Sequence, residues 1–382
     1  MFSNIPPHIM VSLKKLFYVY VFGVAYMPYG AYKYMDLSGY YNVFAWWGVI
    51  GIFCIAPFID HMIGRDPANP NDEQVKKMSA QLWYRILPLL AIPAQMLVLC
   101  YGVHIFTTLE QFSLVGLIGW IFTCGVVSAV VAIVVAHELI HKDNKLENWS
   151  GGLLLALVFY SGFKVEHIHG HHVNVATPED PVSARFGQSF YQYLPGALRQ
   201  NTVGAWKLQT KRLGGKWLQW KNELIWWHCI SLLILIASIV TYGWMGGVFF
   251  LGVSLVAAST LETINYVEHY GLQRRKLDNG EYEPVTQAHS WNSNFLLTNM
   301  SLFHLQRHSD HHVYAKRRYQ VLRHYDESPQ MPTGYAGMIV LALVPPLWFK
   351  IMNPRVKAYY EGEAWQLTKE QFADAAAVHT TN

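Results

Sequence analysis

Charge is scarce in this sequence. Only 14% of its 382 residues are Asp, Glu, Lys or Arg, against a usual share of roughly 25%. That is too few to cover the surface of a soluble protein this long. Cysteine is scarce too, with 4 residues and no CxxC pair, which excludes a small disulfide scaffold and a paired-cysteine metal site. Disorder is excluded by the 52% of hydrophobic residues, since disordered chains combine low hydrophobicity with many charges. What the sequence does have is long apolar runs, 14 Trp, 23 Tyr and 18 His that are unevenly spread. The net charge of +4 is mild and points to no nucleic-acid partner.

A helix crossing the hydrocarbon core needs about 20 mostly apolar residues. Runs at 16–32, 41–59, 86–103, 112–136, 224–242 and 244–261 predict six transmembrane helices, the fifth interrupted only by His228. The apolar piece 151–163 is too short to span and reads as interfacial or re-entrant. The first run lacks a small-residue cleavage site, so it is not a cleaved signal. Trp46, Trp47, Trp83, Trp226, Trp227 and Trp244 stand near run ends, where amphipathic rings favour the headgroup zone. Of the 29 Lys and Arg, 28 lie before the first run, in 60–85, in 137–223 or after 261, the exception being Lys33. The short links 104–111 and 243 carry none. The positive-inside rule then puts both termini in the cytoplasm, whereas a seventh span at 151–163 would export one of the basic segments. The expected fold is an all-α integral membrane protein of the cytoplasmic membrane: helices 1–4 in 1–136, a cytoplasmic segment at 137–223, helices 5 and 6 in 224–261, a second cytoplasmic segment at 262–352, and a weakly ordered polar tail at 353–382. Cys54, Cys100, Cys124 and Cys229 all fall inside runs, as small packing residues.

The histidines gather on the expected cytoplasmic side. His137 and His141 follow the fourth run at i, i+4, which puts both rings on one helix face. His167 and His171 repeat that spacing, with His172 beside them, and His308, His311 and His312 form a third group. His269 closes a stretch that extends the sixth run by about two turns, roughly 12 Å. Packing imidazoles this tightly has no structural advantage, whereas neutral imidazole is a common metal ligand. Nine rings are too many for one ion and suit two ions with four or five ligands each. Ligand softness does not choose among Zn, Cu, Fe and Ni. His169 points elsewhere on a helix. His8, His61, His104, His228, His324 and His379 read as ordinary residues, and His289 stands apart in His289-Ser-Trp-Asn-Ser-Asn294. Glu138, Glu166, Glu268 and Asp310 could receive the second ring proton of a ligating His, or could instead be solvated or paired with Lys142, Arg274 or Arg307. His137-Glu-Leu-Ile-His141 also fits the H-E-x-x-H pattern of zinc proteases, which would need one further ligand rather than six or seven.

The motifs resemble those of the integral-membrane alkane 1-monooxygenases, non-haem di-iron hydroxylases related to xylene monooxygenases and membrane fatty-acyl desaturases. The chain carries His137-Glu-Leu-Ile-His141-Lys142, Glu166-His167-Ile-His169-Gly170-His171-His172 and Leu305-Gln306-Arg307-His308-Ser309-Asp310-His311-His312. It also carries Asn265-Tyr266-Val267-Glu268-His269-Tyr270-Gly271-Leu272, a box that the desaturases lack. The resemblance runs from about residue 40 to 355. It implies two iron ions held by His137, His141, His167, His171, His172, His269, His308, His311 and His312, with O₂ as co-substrate. It implies two electrons from a rubredoxin-type protein, for whose docking Lys316, Arg317 and Arg318 are available, although positive-inside charge explains them equally well. It implies terminal hydroxylation of a medium-chain n-alkane. Such an alkane partitions into lipid, and with the cluster at the ends of the fourth and sixth runs the economical path is entry from the bilayer through an apolar channel between spans. A fatty-acyl desaturase or hydroxylase would use the same iron site. A metal transporter or sensor would more naturally line the interior of a span.

Overall fold

The computed structural model describes residues 14–361. These are mostly helical, and the described residues contain isolated β-bridges but no strand. Four helices are long and apolar enough to cross a membrane: Trp83–Thr108, Leu114–Ile140, Glu223–Tyr242 and Trp244–His269. The first two are joined through residues 109–113, and the last two through Gly243 alone. Links this short make each pair an antiparallel hairpin. Leu114–Ile140 packs along Trp244–His269, so both end on the same side, at His137 and His269.

The first two expected spans differ from the sequence reading. The run at 16–32 becomes the helix Tyr20–Ser38, whose Tyr26, Tyr29, Tyr32, Tyr34, Lys33 and Asp36 dilute its apolar character. The run at 41–59 is broken. A single helical turn, Tyr41–Phe44, ends at Ala45–Trp46, and the apolar helix that follows, Trp47–Ile63, falls short of spanning length. The apolar piece at 151–163 is also broken. It belongs to the helix Lys145–Ala156 and to a second helix from Gly162, with Phe159 between them in the left-handed region at φ 49°. Leu154, Leu155, Ala156 and Phe163 are buried. The helix Pro345–Glu361 runs past residue 353, where the sequence reading starts a tail. The rest of that tail, with His379, lies outside the described residues, as does His8.

Two irregular turns position the site. Leu114–Ile140 carries a π-helical segment, Ala129–Val134, just before His137. A second π segment, His167–His171, carries the middle histidine box itself. The backbone there bonds i to i+5 rather than i+4, so the side chain stacked above His167 is that of His172. Asp60 ties the end of Trp47–Ile63 to the helix Leu296–Ser301 by accepting from the Thr298 amide at 3.1 Å and from its hydroxyl.

Candidate metal centre

The nine expected rings arrive from four segments of a buried scaffold. His137 sits in the last turn of Leu114–Ile140, and His141 directly follows it. His269 is the last residue of Trp244–His269. His308, His311 and His312 lie on the short helix His308–Val313. The nine separate into two groups. His137, His141, His167, His172 and His311 form one, and His171, His269, His308 and His312 the other. Within each group, one nitrogen per ring lies within 4.8 Å of all the others. All nine are buried except His141 and His172, which are partly so. The expected i, i+4 pair His167 and His171 is therefore split between the groups, because the π turn aligns His167 with His172 instead.

The facing nitrogens are unusual as protein partners. His167 Nε2 lies 3.0 Å from His172 Nε2, and His311 Nε2 lies 3.2 Å from His172 Nε2. In the second group His308 Nε2 lies 2.9 Å from His312 Nε2 and 3.1 Å from His269 Nε2. Nε2 of His137, His141 and His171 is buried without any hydrogen-bond partner. Buried polar atoms normally find a partner, and a shell of inward-facing, unpaired acceptors fits a cation. Burial first, then the neighbouring imidazoles, holds His167, His172, His308, His311 and His312 well below the ordinary imidazole range. They stay neutral, the form that ligates metal.

The other ring nitrogen has a hydrogen-bond partner in two cases, His171 and His269, and a carboxylate close beside it in a third, His308. Asp180 Oδ2 accepts from His171 Nδ1 at 2.8 Å and is itself held by the Ser183 hydroxyl at 2.6 Å and the Val182 amide at 3.0 Å. Burial opposes a charge on His171, but the Asp180 carboxylate outweighs it and the net shift is upward. His269 Nδ1 faces the His289 carbonyl at 3.3 Å. Glu268 Oε1 lies 3.2 Å from His308 Nδ1 and accepts from the Tyr335 hydroxyl at 2.6 Å.

Of the four expected carboxylates, only Glu268 touches a ligand candidate in this way. Glu138 pairs with Lys142 at 2.9 Å and accepts from the Tyr319 amide at 3.3 Å. Glu166 faces the Gln200 amide at 3.5 Å, and burial together with Asp180 pushes it up to about 8. Asp310 accepts from Arg317 at 2.7 Å, from the Arg323 amide at 2.9 Å and from the Tyr325 hydroxyl at 3.1 Å. It braces the loop behind the third box rather than a ring. Asp180, Tyr335 and the His289 carbonyl are the contacts that local sequence patterns miss. His169 joins neither group. His228 faces the Leu224 carbonyl at 2.7 Å, and His324 faces Asp326 at 2.9 Å. The three expected docking residues are all engaged. Lys316 pairs with Asp143 at 2.7 Å, Arg317 holds Asp310, and Arg318 grips both oxygens of Glu147 at 2.9 Å.

An apolar cavity opens beside the metal centre. Its walls include Met27, Ala129, Val130, Leu261, Ile264 and Tyr335. Val134 and Leu302 line both it and a smaller space that reaches His137 and His311. Tyr335 is thus a cavity wall whose hydroxyl ends on the carboxylate that faces His308.

Comparison with known proteins agrees with this site. The fatty acid desaturase family model matches residues 112–342, which contain all nine rings. The chain is 52% identical to Alkane 1-monooxygenase 2 of Pseudomonas aeruginosa, over 97% of this chain and 100% of that protein. It is likewise 52% identical to Alkane 1-monooxygenase 2 of Alcanivorax borkumensis, over 97% of this chain and 98% of that protein. Similarity extends to the xylene/toluene monooxygenase hydroxylase component XylM of Pseudomonas putida, 28% identical over 63% of this chain and 64% of that protein. The chain belongs to the alkane 1-monooxygenase family, within the wider group described by the fatty acid desaturase model.

Proposed function

We propose that this protein hydroxylates the terminal methyl of medium-chain n-alkanes, R–CH₃ + O₂ + 2e⁻ + 2H⁺ → R–CH₂OH + H₂O, at two iron ions. The observation that carries the reading is two groups of five and four clustered imidazoles, beside an apolar cavity that shares Val134 and Leu302 with a smaller space lined by His137 and His311. His137, His141, His167, His172 and His311 would hold one iron, and His171, His269, His308 and His312 the other. Iron so held supplies the oxygen activation that an unactivated methyl requires and that polar side chains cannot provide. The chain's own residues do the rest. Val134 and Leu302 wall the passage to His137 and His311, keep water from the reacting end and admit an alkyl chain end-on. Asp180 orients the ring of His171, and the Glu268 carboxylate lies beside that of His308.

In this reading Tyr20–Ser38 and Trp47–Ile63 complete six spans, both termini lie in the cytoplasm, and the centre faces the cytoplasmic side of the inner membrane. The electrons come from a rubredoxin-type donor. Lys316, Arg317 and Arg318 lie where an acidic donor would approach. Lys316 is the one most free to turn outward, since its partner Asp143 is itself 78% exposed.

The test is metal analysis of purified protein followed by turnover of octane with rubredoxin, its reductase and NADH. The expected result is about two irons per chain and 1-octanol as product. An alkene, or a hydroxylated acyl chain from an acyl substrate with octane untouched, replaces this reading with the desaturase-type one.

A further inference from the structure

The 42 residues from Pro181 to Asn222 contain no Asp or Glu and seven Lys or Arg. Arg185 is spent on the carbonyls of Thr177, Pro178 and Asp180. The other six, Arg199, Lys207, Lys211, Arg212, Lys216 and Lys221, are all exposed. Among the described residues none of the six is ion-paired, and the nearest carboxylate in sequence, Glu223, is taken by Lys164 at 2.7 Å. Between the last lysines, Trp217, Leu218 and Trp220 are 55%, 71% and 79% exposed.

The loop that carries them is ordered. Gly214 and Gly215 turn the chain at positive φ, 70° and 86°. Gln219 Nε2 donates to the carbonyls of Lys216 at 2.8 Å and Leu213 at 3.1 Å. Asn222 donates to the Trp217 carbonyl at 2.8 Å while accepting from the Leu224 amide at 3.1 Å. Trp226 Nε1 donates to the Trp220 carbonyl at 3.0 Å. The fold therefore holds three large apolar side chains outward, among unpaired cations, at the first turn of the membrane helix Glu223–Tyr242.

We infer that this loop and the basic face leading into it form a docking surface for anionic phospholipid headgroups. Trp217, Leu218 and Trp220 enter the interfacial layer, and Lys207, Lys211, Lys216 and Lys221 contact phosphate. Cations alone would suit an acidic protein equally well. The interleaved Trp and Leu, placed at a membrane boundary, select the lipid surface, where amphipathic rings and basic side chains both gain. The surface lies on the same side as the metal centre, because Glu223–Tyr242 leaves that side and Trp244–His269 returns to it.

The experiment uses the iron-loaded enzyme in nanodiscs of phosphatidylcholine, with and without phosphatidylglycerol of the same acyl chains. The phosphatidylglycerol retained after delipidation is then measured. Wild type retains phosphatidylglycerol in preference to phosphatidylcholine. K207Q/K211Q/K216Q/K221Q loses that preference by at least roughly tenfold, given about a fivefold effect per charge near the surface, with iron content unchanged. In a second variant, W217F/W220F, the quenching of tryptophan fluorescence by brominated lipid falls while the lysines remain. Equal phosphatidylglycerol retention by wild type and the lysine variant overturns the inference. So does an unchanged lipid preference accompanied by a raised KM for the rubredoxin donor, which would make the surface a protein dock.

Discussion

Asp180 shows what a single residue does for this centre and why its role is hard to read in advance. It lies in a Pro-flanked loop, eight residues after His172, with no helical spacing to tie it to the boxes. Only the folded loop brings Oδ2 to 2.8 Å from His171 Nδ1, with the Ser183 hydroxyl fixing its orientation. The nine histidines were legible because their spacing is local and their residue type is costly to bury without a purpose. Asp180, Tyr335 and the His289 carbonyl were not, because Asp180 and the carbonyl reach their rings, and Tyr335 reaches Glu268, only through the tertiary fold. Of the four carboxylates next to the boxes, proximity in sequence identified one that lies beside a ring, Glu268, while Glu138, Glu166 and Asp310 turn toward Lys142, Gln200 and Arg317. Asp180→Asn removes the carboxylate charge and keeps the shape. Its expected effect is a weakening of iron retention by about 10–100-fold, measured by chelator competition on otherwise folded protein. Unchanged retention would mean that His171 needs no such partner.

At the scale of elements, the long apolar helices were legible and the short ones less so. A periodic apolar run predicts Leu114–Ile140 and Trp244–His269 well. A tyrosine-rich run gives the same count of uncharged residues yet yields Tyr20–Ser38, a weaker span on apolarity. The break at Ala45–Trp46 left no mark that hydropathy could register. The π segments were also illegible, since one extra residue in a helix leaves composition unchanged. Where elements meet, glycine permits the approach: a Cβ on Gly162 would overlap the backbone carbonyl of Asn201. Because the obstacle is backbone, relief requires moving the helix that begins at Gly162 and carries His167, His171 and His172. Gly162→Ala is expected to cost about 1–3 kcal/mol, seen as a lower Tm, together with reduced iron content. A Tm equal to wild type would show that the two backbones can part without cost.

At the scale of the whole molecule, two hairpins place four helix ends on one side, and the metal centre closes across them. One group joins His137 at the end of the first hairpin, and the other joins His269 at the end of the second, to histidines of the segments between and after them, so a bound metal would crosslink segments far apart in sequence. Stripping the metal with a chelator is expected to lower Tm by several degrees, because ligand binding to the folded state is folding free energy. Ferrous iron restores both stability and turnover, and zinc restores stability alone. A Tm indifferent to metal would show that the imidazole shell is held by packing.

The helix Trp244–His269 belongs to both halves of this arrangement. Leu261 and Ile264 line the apolar cavity, and His269 stands at the metal end of the same unbroken rod. If the proposed alkane lies along it, the rod is a ruler, graduated at 1.5 Å per residue, with its zero at the reacting carbon. A bulky side chain set on it acts as a stop, and the position of the stop decides how long a tail can lie behind the methyl. Ile264→Phe places the stop about 4.5 Å nearer the zero than Leu261→Phe does. The longest alkane converted from a C6–C16 mixture is expected to shorten in both variants, and more in the first. Identical product profiles would mean that the chain lies along another wall. Substrate length would then be a distance counted off along one helix.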